Sequence, residues 1–273
     1  GDAGRRSTQR RSCRAAHIKG RITVNLDHWK TAHSAADAFK DRVILVTGAG
    51  QGIGAAAAIA LAKLGATVIL LGRNEKKLSR TYDAIEAAGG AQPAAIPMDL
   101  AKIGEAELNQ LGVLIQKEFG RLDGILHCAN GFNHLSPLAN QKLDEWVDMF
   151  RVNVAAPFAI TRALFPLLQK APDAAVLVIG ETHALAPNAY WGGYSVSKAG
   201  QKNWVEIAAS EWDKFDNLRI NLLVPGPIQS PFRTATHPGE AKDSLPPVEA
   251  ILPAIEYWLG HASRGQSGQT LMF

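Results

Sequence analysis

The chain has 273 residues, 47% hydrophobic and 20% charged, which is enough apolar side chain for a sizeable α/β core and excludes a chain disordered by charge. Its net charge of +4 is unevenly placed: residues 1–42 carry ten Lys/Arg against four Asp/Glu, and residues 43–273 carry 19 against 21, so composition gives the larger part no basic face for nucleic acid. Cys13 and Cys128 make no disulfide framework, which points to a reducing, cytoplasmic setting, and the lack of an unbroken run of about 18 apolar residues predicts no membrane span.

Residues 1–38 are expected to form a basic, irregular extension. Arg5, Arg6, Arg10, Arg11 and Arg14 surround no apolar core of the kind a secretory signal needs. The stretch faintly suggests a transit peptide or a nucleic-acid arm; a remnant without function is the simpler expectation.

From Phe39 onward the pattern is regular, and 39–273 is expected to be one domain. Val43–Thr47 predicts a strand, and the Ala-rich run from Gly52 to Leu64 a helix. Thr67–Leu71 predicts a second strand, followed by a helix over Glu75–Ala88 that stops at Gly89. Pro93–Met98, Leu122–Cys128, Ala174–Gly180, Leu218–Val224 and Thr270–Phe273 predict further strands. Helices are expected at Glu105–Phe119, Leu143–Val152, Ala155–Gln169, Trp191–Phe215 and Val248–Gly260. The six prolines and two glycines of 225–247 predict an irregular loop. Strand and helix alternate throughout, which predicts a doubly wound Rossmann-type sheet of about seven parallel strands with helices on both faces.

Two stretches carry chemistry. The first is Thr47-Gly48-Ala49-Gly50-Gln51-Gly52-Ile53-Gly54, between the first strand and its helix. Glycines permit a tight turn and let a ligand approach the backbone, and a helix N-terminus aims free N–H groups at an anion. The second is Tyr194-Ser195-Val196-Ser197-Lys198. Tyr194 and Lys198, four apart on a predicted helix, share a face. A neighbouring ammonium lowers a phenol's pKa, and a phenol so tuned can pass a proton to a substrate oxygen.

These two stretches resemble the short-chain dehydrogenase/reductase family, over about residues 40 to 273. The resemblance implies hydride transfer between a nicotinamide dinucleotide and a carbonyl or secondary alcohol. Tyr194 would be the acid/base, Lys198 would tune it and hold the cofactor ribose, and Asn153 would hold a relay water. Gly48, Gly50, Gln51, Gly52, Ile53 and Gly54 would seat the pyrophosphate. Asp99 and Leu100 would meet the adenine, and Asn130, Pro225, Gly226 and Ile228 the nicotinamide side. The resemblance also implies a homo-oligomer, a dimer or tetramer, packed through helices at about 154–170 and 191–215, where Trp204, Ile207, Ala208 and Trp212 make an apolar stripe.

Two positions depart from the family pattern. Glu181 stands 13 residues before Tyr194, where the family has a hydroxyl donor, and a carboxylate cannot donate unless protonated. Thr182 is the nearest substitute. Cys128 and Asn130 stand where an amide and a glycine are usual. Glu181 therefore leaves open a non-catalytic dinucleotide sensor or scaffold as the alternative to an enzyme. Cys128 is read as a small hydrophobe closing a strand, His134 and His183 as solvated loop residues, and Trp191, like Trp204 and Trp212, as packing or subunit contact. At the end of the second strand, Gly72 replaces the acid that selects NAD and Arg73 follows, a guanidinium suited to a phosphate. NADP is expected over NAD. The eight His and two Cys show no metal-ligand spacing, so no metal is expected.

Overall fold

The computed structural model describes Trp29, Ala32 and residues 34–273; the expectations for the basic segment fall almost wholly outside the described residues. Seven strands, β1 (Val43–Thr47), β2 (Thr67–Gly72), β3 (Ala94–Pro97), β4 (Gly124–His127), β5 (Ala174–Ile179), β6 (Leu218–Val224) and β7 (Thr270–Met272), form one sheet in the order β3-β2-β1-β4-β5-β6-β7. All neighbouring pairs are parallel. Strands β1, β4, β5 and β6 are buried at every position, as strands covered on both faces must be.

Helical crossovers supply that cover. Helices α1 (Gly52–Lys63), α2 (Glu75–Ala87), α3 (Glu105–Phe119), α4 (Leu143–Lys170), α5 (Gly192–Trp212), α6 (Pro231–Thr236) and α7 (Leu252–Leu259) follow the strands in turn. Ala58 and Leu61 of α1, Leu78 and Ile85 of α2 and Ile255 and Trp258 of α7 pack one face of the sheet. Leu111 and Ile115 of α3, Ile160 and Leu164 of α4 and Val205 and Trp212 of α5 pack the other. By length and apolar content α4 could cross a membrane, but its buried Ile160, Leu164, Leu167 and Leu168 lie on the sheet, which accounts for its apolarity.

The structure corrects the expected elements in three places. The helices expected at 143–152 and 155–169 are one helix, α4, whose Arg151–Ala155 segment is π-helical. Pro157 explains the widening: it has no N–H for the carbonyl four residues back, that of Asn153, and its ring crowds that oxygen. The proline-rich 225–247 is not all irregular, because Ser230 caps α6 by accepting from the Arg233 N–H at 3.0 Å. The last helix is shorter than expected, a 3₁₀ turn over Val248–Ile251 preceding α7.

Buried charges close the N-terminal edge of the sheet. The Arg42 guanidinium donates to the carbonyls of Leu259, Asp123 and Asp173. Arg219 pairs with Asp173 and donates to Gly260 O at 2.6 Å and Ser263 Oγ at 2.9 Å. The C-terminal edge is open. There β1 has β2 on one side and β4 on the other, and the chain departs in opposite directions, the switch point at which such sheets bind ligands.

Candidate active site

A cleft of about 630 Å³ lies along that edge. Its floor at the switch point is the glycine loop. Gly48 and Gly52 have φ of +68° and +56°, values that favour glycine. A Cβ on Gly54 would lie 2.4 Å from Gly48 O, and one on Gly48 2.7 Å from Ala129 N, so these two glycines let α1 and the β4 end close on the turn. Gln51 precedes α1 with no side-chain cap, and the first turn of α1 contains no acid. Its N–H groups therefore face the cleft uncompensated, which suits a pyrophosphate. Gly48, Gly50, Gln51, Gly52 and Ile53 line this end; Gly54 lies behind them.

Gly72, Arg73 and Asn74 follow β2 into the same cleft, with Lys77 beside them. Arg73 is exposed, and among the described residues no acid pairs with it. Asn74 caps α2 through its Oδ1 and the Lys77 N–H at 3.0 Å, which turns the first residues of that helix toward the cleft. The Lys77 ammonium donates to Gln51 Oε1, a second cation at this end that no motif marks. Asp99 and Leu100 line the wall after β3, with Asp99 Oδ1 accepting from Ala101 N at 3.1 Å. Asn130, Pro225, Gly226 and Ile228 line the other half. A donor-rich, acid-free phosphate cradle beside two cations fits a dinucleotide with an extra phosphate.

Tyr194 and Lys198 lie where β5 and α5 meet this cleft, 2% and 3% exposed. The expected pairing between them is not what tunes the phenol. The Lys198 Nζ is 5.9 Å from the Tyr194 ring centre and donates instead to Ile179 O at 3.1 Å and Gln201 Oε1 at 3.3 Å. Burial, reinforced by Glu181, pushes the phenol well above its usual pKa. Burial pulls the ammonium down to about 8, opposed by the same carboxylate. The Tyr194 hydroxyl donates to Asn130 Oδ1 at 3.0 Å and lies 3.5 Å from Glu181 Oε2.

Asn153 is fully buried on the π-helical segment. Its side chain is used up by Gly131 N at 2.7 Å, Gly131 O at 2.8 Å and Ser197 Oγ at 2.9 Å, so it pins the loop after β4 to α5. Its own carbonyl, freed by Pro157, accepts from Gln201 Nε2 at 2.9 Å. Gln201 thus stands between Asn153 and Lys198, a bridge that sequence spacing did not single out.

Glu181, Thr182 and His183 start the turn after β5 and line the cleft. His183 is not a solvated loop residue. Its Nδ1 is 3.1 Å from Glu181 Oε1, and its ring stacks on Trp191 at 3.7 Å and 14°. Trp191, expected to be packing or subunit contact, forms with Phe132 and Phe232 an aromatic wall around Tyr194. Phe132 comes from the loop after β4 and Phe232 from α6, so only the tertiary structure brings them together. His134 is exposed and does not line the cleft. Burial pushes the Cys128 thiol well up, which suits a small hydrophobe and not a nucleophile. Among the described residues no cluster of metal ligands occurs.

A glycine-turn cleft at the switch point that ends on a buried Tyr-Lys pair defines the class: a Rossmann-type nucleotide-dependent oxidoreductase. The model of the short chain dehydrogenase family matches residues 42–241. The chain belongs to that family, and it is an oxidoreductase. It is 36% identical over 234 residues to the uncharacterised oxidoreductase YciK of Escherichia coli K12, covering 86% of this chain and 92% of that one. A short chain dehydrogenase from Pseudomonas syringae superposes with a TM-score of 0.85 at 37% identity, over 88% of this chain and 97% of the other. One from Escherichia coli CFT073, solved in complex with NADPH, gives 0.84 at 35% identity, over 87% and 98%. These relatives support an enzyme and lend nothing to a sensor or scaffold.

Proposed function

We propose that this oxidoreductase binds NADP(H) along the cleft and transfers a hydride between it and a carbonyl or secondary alcohol, with Tyr194 as the proton donor and acceptor. The observation that carries this is the placing of one buried phenol, Tyr194, on the wall of the cleft that begins at the glycine cradle. NADPH when bound supplies the hydride. Gly48, Gly50, Gln51, Gly52, Ile53 and Gly54 seat or shape the pyrophosphate site, and Arg73 with Lys77 faces the additional phosphate. Asp99 and Leu100 flank the adenine; Asn130, Pro225, Gly226 and Ile228 flank the nicotinamide. Lys198 would hold the ribose, and Asn153 fixes the wall by its bonds to Gly131 and Ser197. Thr182, on the cleft wall, is the hydroxyl we assign to polarise the carbonyl, since the neighbouring Glu181 is a hydrogen-bond acceptor, taking the Thr182 N–H at 2.9 Å. The aromatic wall of Phe132, Trp191 and Phe232 favours substrates with a flat or bulky apolar body.

Turnover of NADPH with a panel of aldehydes, ketones and quinones tests this. Wild type should reduce at least one, and Tyr194→Phe should lose roughly 10²-fold or more while NADPH affinity holds. Inactivity of wild type on the whole panel would refute the reading.

The same enzyme is proposed to be a cytoplasmic homo-oligomer. Leu143, Val147, Phe150 and Phe158 of α4 are exposed around an apolar groove that Trp204 closes. Of the stripe expected on α5, Ala208 and Trp212 are buried on the sheet and only Ile207 is exposed, so the contact face is mainly α4. Light scattering should give a dimer or tetramer, and Phe158→Glu should reduce it to a monomer.

A further inference from the structure

The proton that Tyr194 gives to a product must be replaced from solvent before the next turnover, and the protein groups bonded to Lys198 on the side away from the cleft lead into the core. Lys198 is tied to Ile179 O and Gln201 Oε1, and Gln201 Nε2 to Asn153 O. Gln201 is 1% exposed. An amide that donates at nitrogen and accepts at oxygen carries a proton onward only by leaving its stable tautomer, and the chain beyond it ends on a backbone carbonyl. The amide bridge fixes the lysine but does not conduct.

On the other side of Tyr194 the groups are of another kind. Glu181 Oε2 lies 3.5 Å from the phenol oxygen, and its Oε1 lies 3.1 Å from His183 Nδ1. The Thr182 N–H holds Oε1 on the histidine side, leaving Oε2 toward the phenol. His183 is held by its stack on Trp191 and by Ser195 Oγ, which donates to its carbonyl at 2.6 Å. The His183 and Glu181 side chains are 14% and 16% exposed, so both titratable groups beside the buried phenol reach the solvent-accessible cleft. The long Oε2 contact is of the sort that tightens when substrate closes a site.

We propose that Glu181 and His183 form the proton relay that recharges Tyr194, so that the carboxylate at the family's hydroxyl position is a conductor and not a defect. This rests on Tyr194 as the proton donor. After reduction Tyr194 is a phenolate. The His183 imidazolium gives its Nδ1 proton to the Glu181 carboxylate. The carboxylic acid so formed, once its carboxyl group has turned toward the phenolate, breaks that O–H bond as the tyrosine O–H forms. The neutral imidazole then takes a proton from hydronium in the cleft. No electrons move in these steps; oxidation of an alcohol runs them backwards. Glu181 and His183 are relay residues that act through Tyr194.

The test uses the whole chain with NADPH and phenanthrenequinone or the best carbonyl of the panel. The first turnover consumes a proton already on Tyr194, so His183→Gln and Glu181→Gln should keep a burst of one NADPH per site. Their steady-state rate should then fall by roughly 10²-fold. His183→Ala should behave likewise, and free imidazole should restore its steady-state rate. A separate measurement needs no turnover. The tyrosinate absorbance present in wild type and missing in Tyr194→Phe reports the phenol's ionisation, and Glu181→Gln should move its midpoint to lower pH. The other titratable groups facing the pair are Lys198 of α5, Arg233 of α6 and His237 beyond it; all stay in place in these variants. Full steady-state rates in the His183 variants, loss of burst and steady state together, or no response to imidazole would overturn the relay while leaving hydride transfer intact. If wild type turned over no carbonyl, the functional reading would fall and the relay with it.

Discussion

Replacing Arg73 with Ala should largely abolish discrimination between NADPH and NADH. Arg73 stands at the end of β2 beside Gly72 and lines the cleft without an acidic partner among the described residues. A charge-assisted bond to phosphate contributes about 1.5–3 kcal/mol, and because Arg73 is exposed the lower end applies. That is roughly tenfold in affinity. Lys77, partly buried and already donating to Gln51, adds less, so Arg73→Ala with Lys77→Ala should cost up to about a hundredfold. Wild-type preference should shrink as salt rises from about 0.1 to about 1 M, where the screening length falls from about 10 to about 3 Å. Gly72→Asp should push the preference toward NADH, because an acid there repels the extra phosphate. Its Cβ would meet only the end of Leu78, at 3.2 Å, which can shift. Fluorescence titration of both nucleotides into each protein reads all of this. Equal affinities in wild type, or an Arg73→Ala protein that keeps its preference, would refute the reasoning.

Gly54→Ala should lower NADPH affinity and cost about 1–3 kcal/mol of stability, because its methyl would meet Gly48 O; nucleotide titration and urea denaturation read the two effects. Asp173→Ala should cost about 3–5 kcal/mol by leaving Arg219 charged and buried, with NADPH affinity unchanged because that edge is opposite the cleft. A loss under about 1 kcal/mol in urea would show that Arg219 finds other partners. His127 is buried at the end of β4, 2.9 Å from Thr161 Oγ1, and burial holds its pKa at about 3. Between that value and about 6.5 the unfolded chain binds the extra proton, so stability falls as pH drops through the window. From pH 6.5 to 5 this amounts to about 1.6 kcal/mol. In His127→Gln that part of the pH dependence should vanish, and an unchanged slope in urea melts at the two pH values would contradict it.

The sequence by itself determined the parts of this protein that are local in the chain. Apolar runs such as Val43–Thr47 are buried throughout because only a sheet covered on both faces accepts them. The glycine turn and its helix are one contiguous stretch, and Tyr194 and Lys198 are one helical turn apart, so spacing alone places each. Gly72 and Arg73 were legible because they follow directly on a strand end. What lies between distant segments was not legible. Phe132, Trp191 and Phe232 enclose Tyr194 only because the loop after β4, the start of α5 and helix α6 meet at one sheet edge. Lys198 donates to Ile179 and Gln201 and not to the phenol, since burial makes an ammonium seek every acceptor in reach. The π-helical segment depends on Pro157, visible in the sequence, but the partner for the carbonyl it frees, Gln201, comes from another helix. His183 read as a solvated loop residue until the fold laid it on Trp191 against Glu181. Propensity and periodicity act within a few residues of the chain, whereas the electrostatics of this site are set by which strand ends the sheet order places side by side.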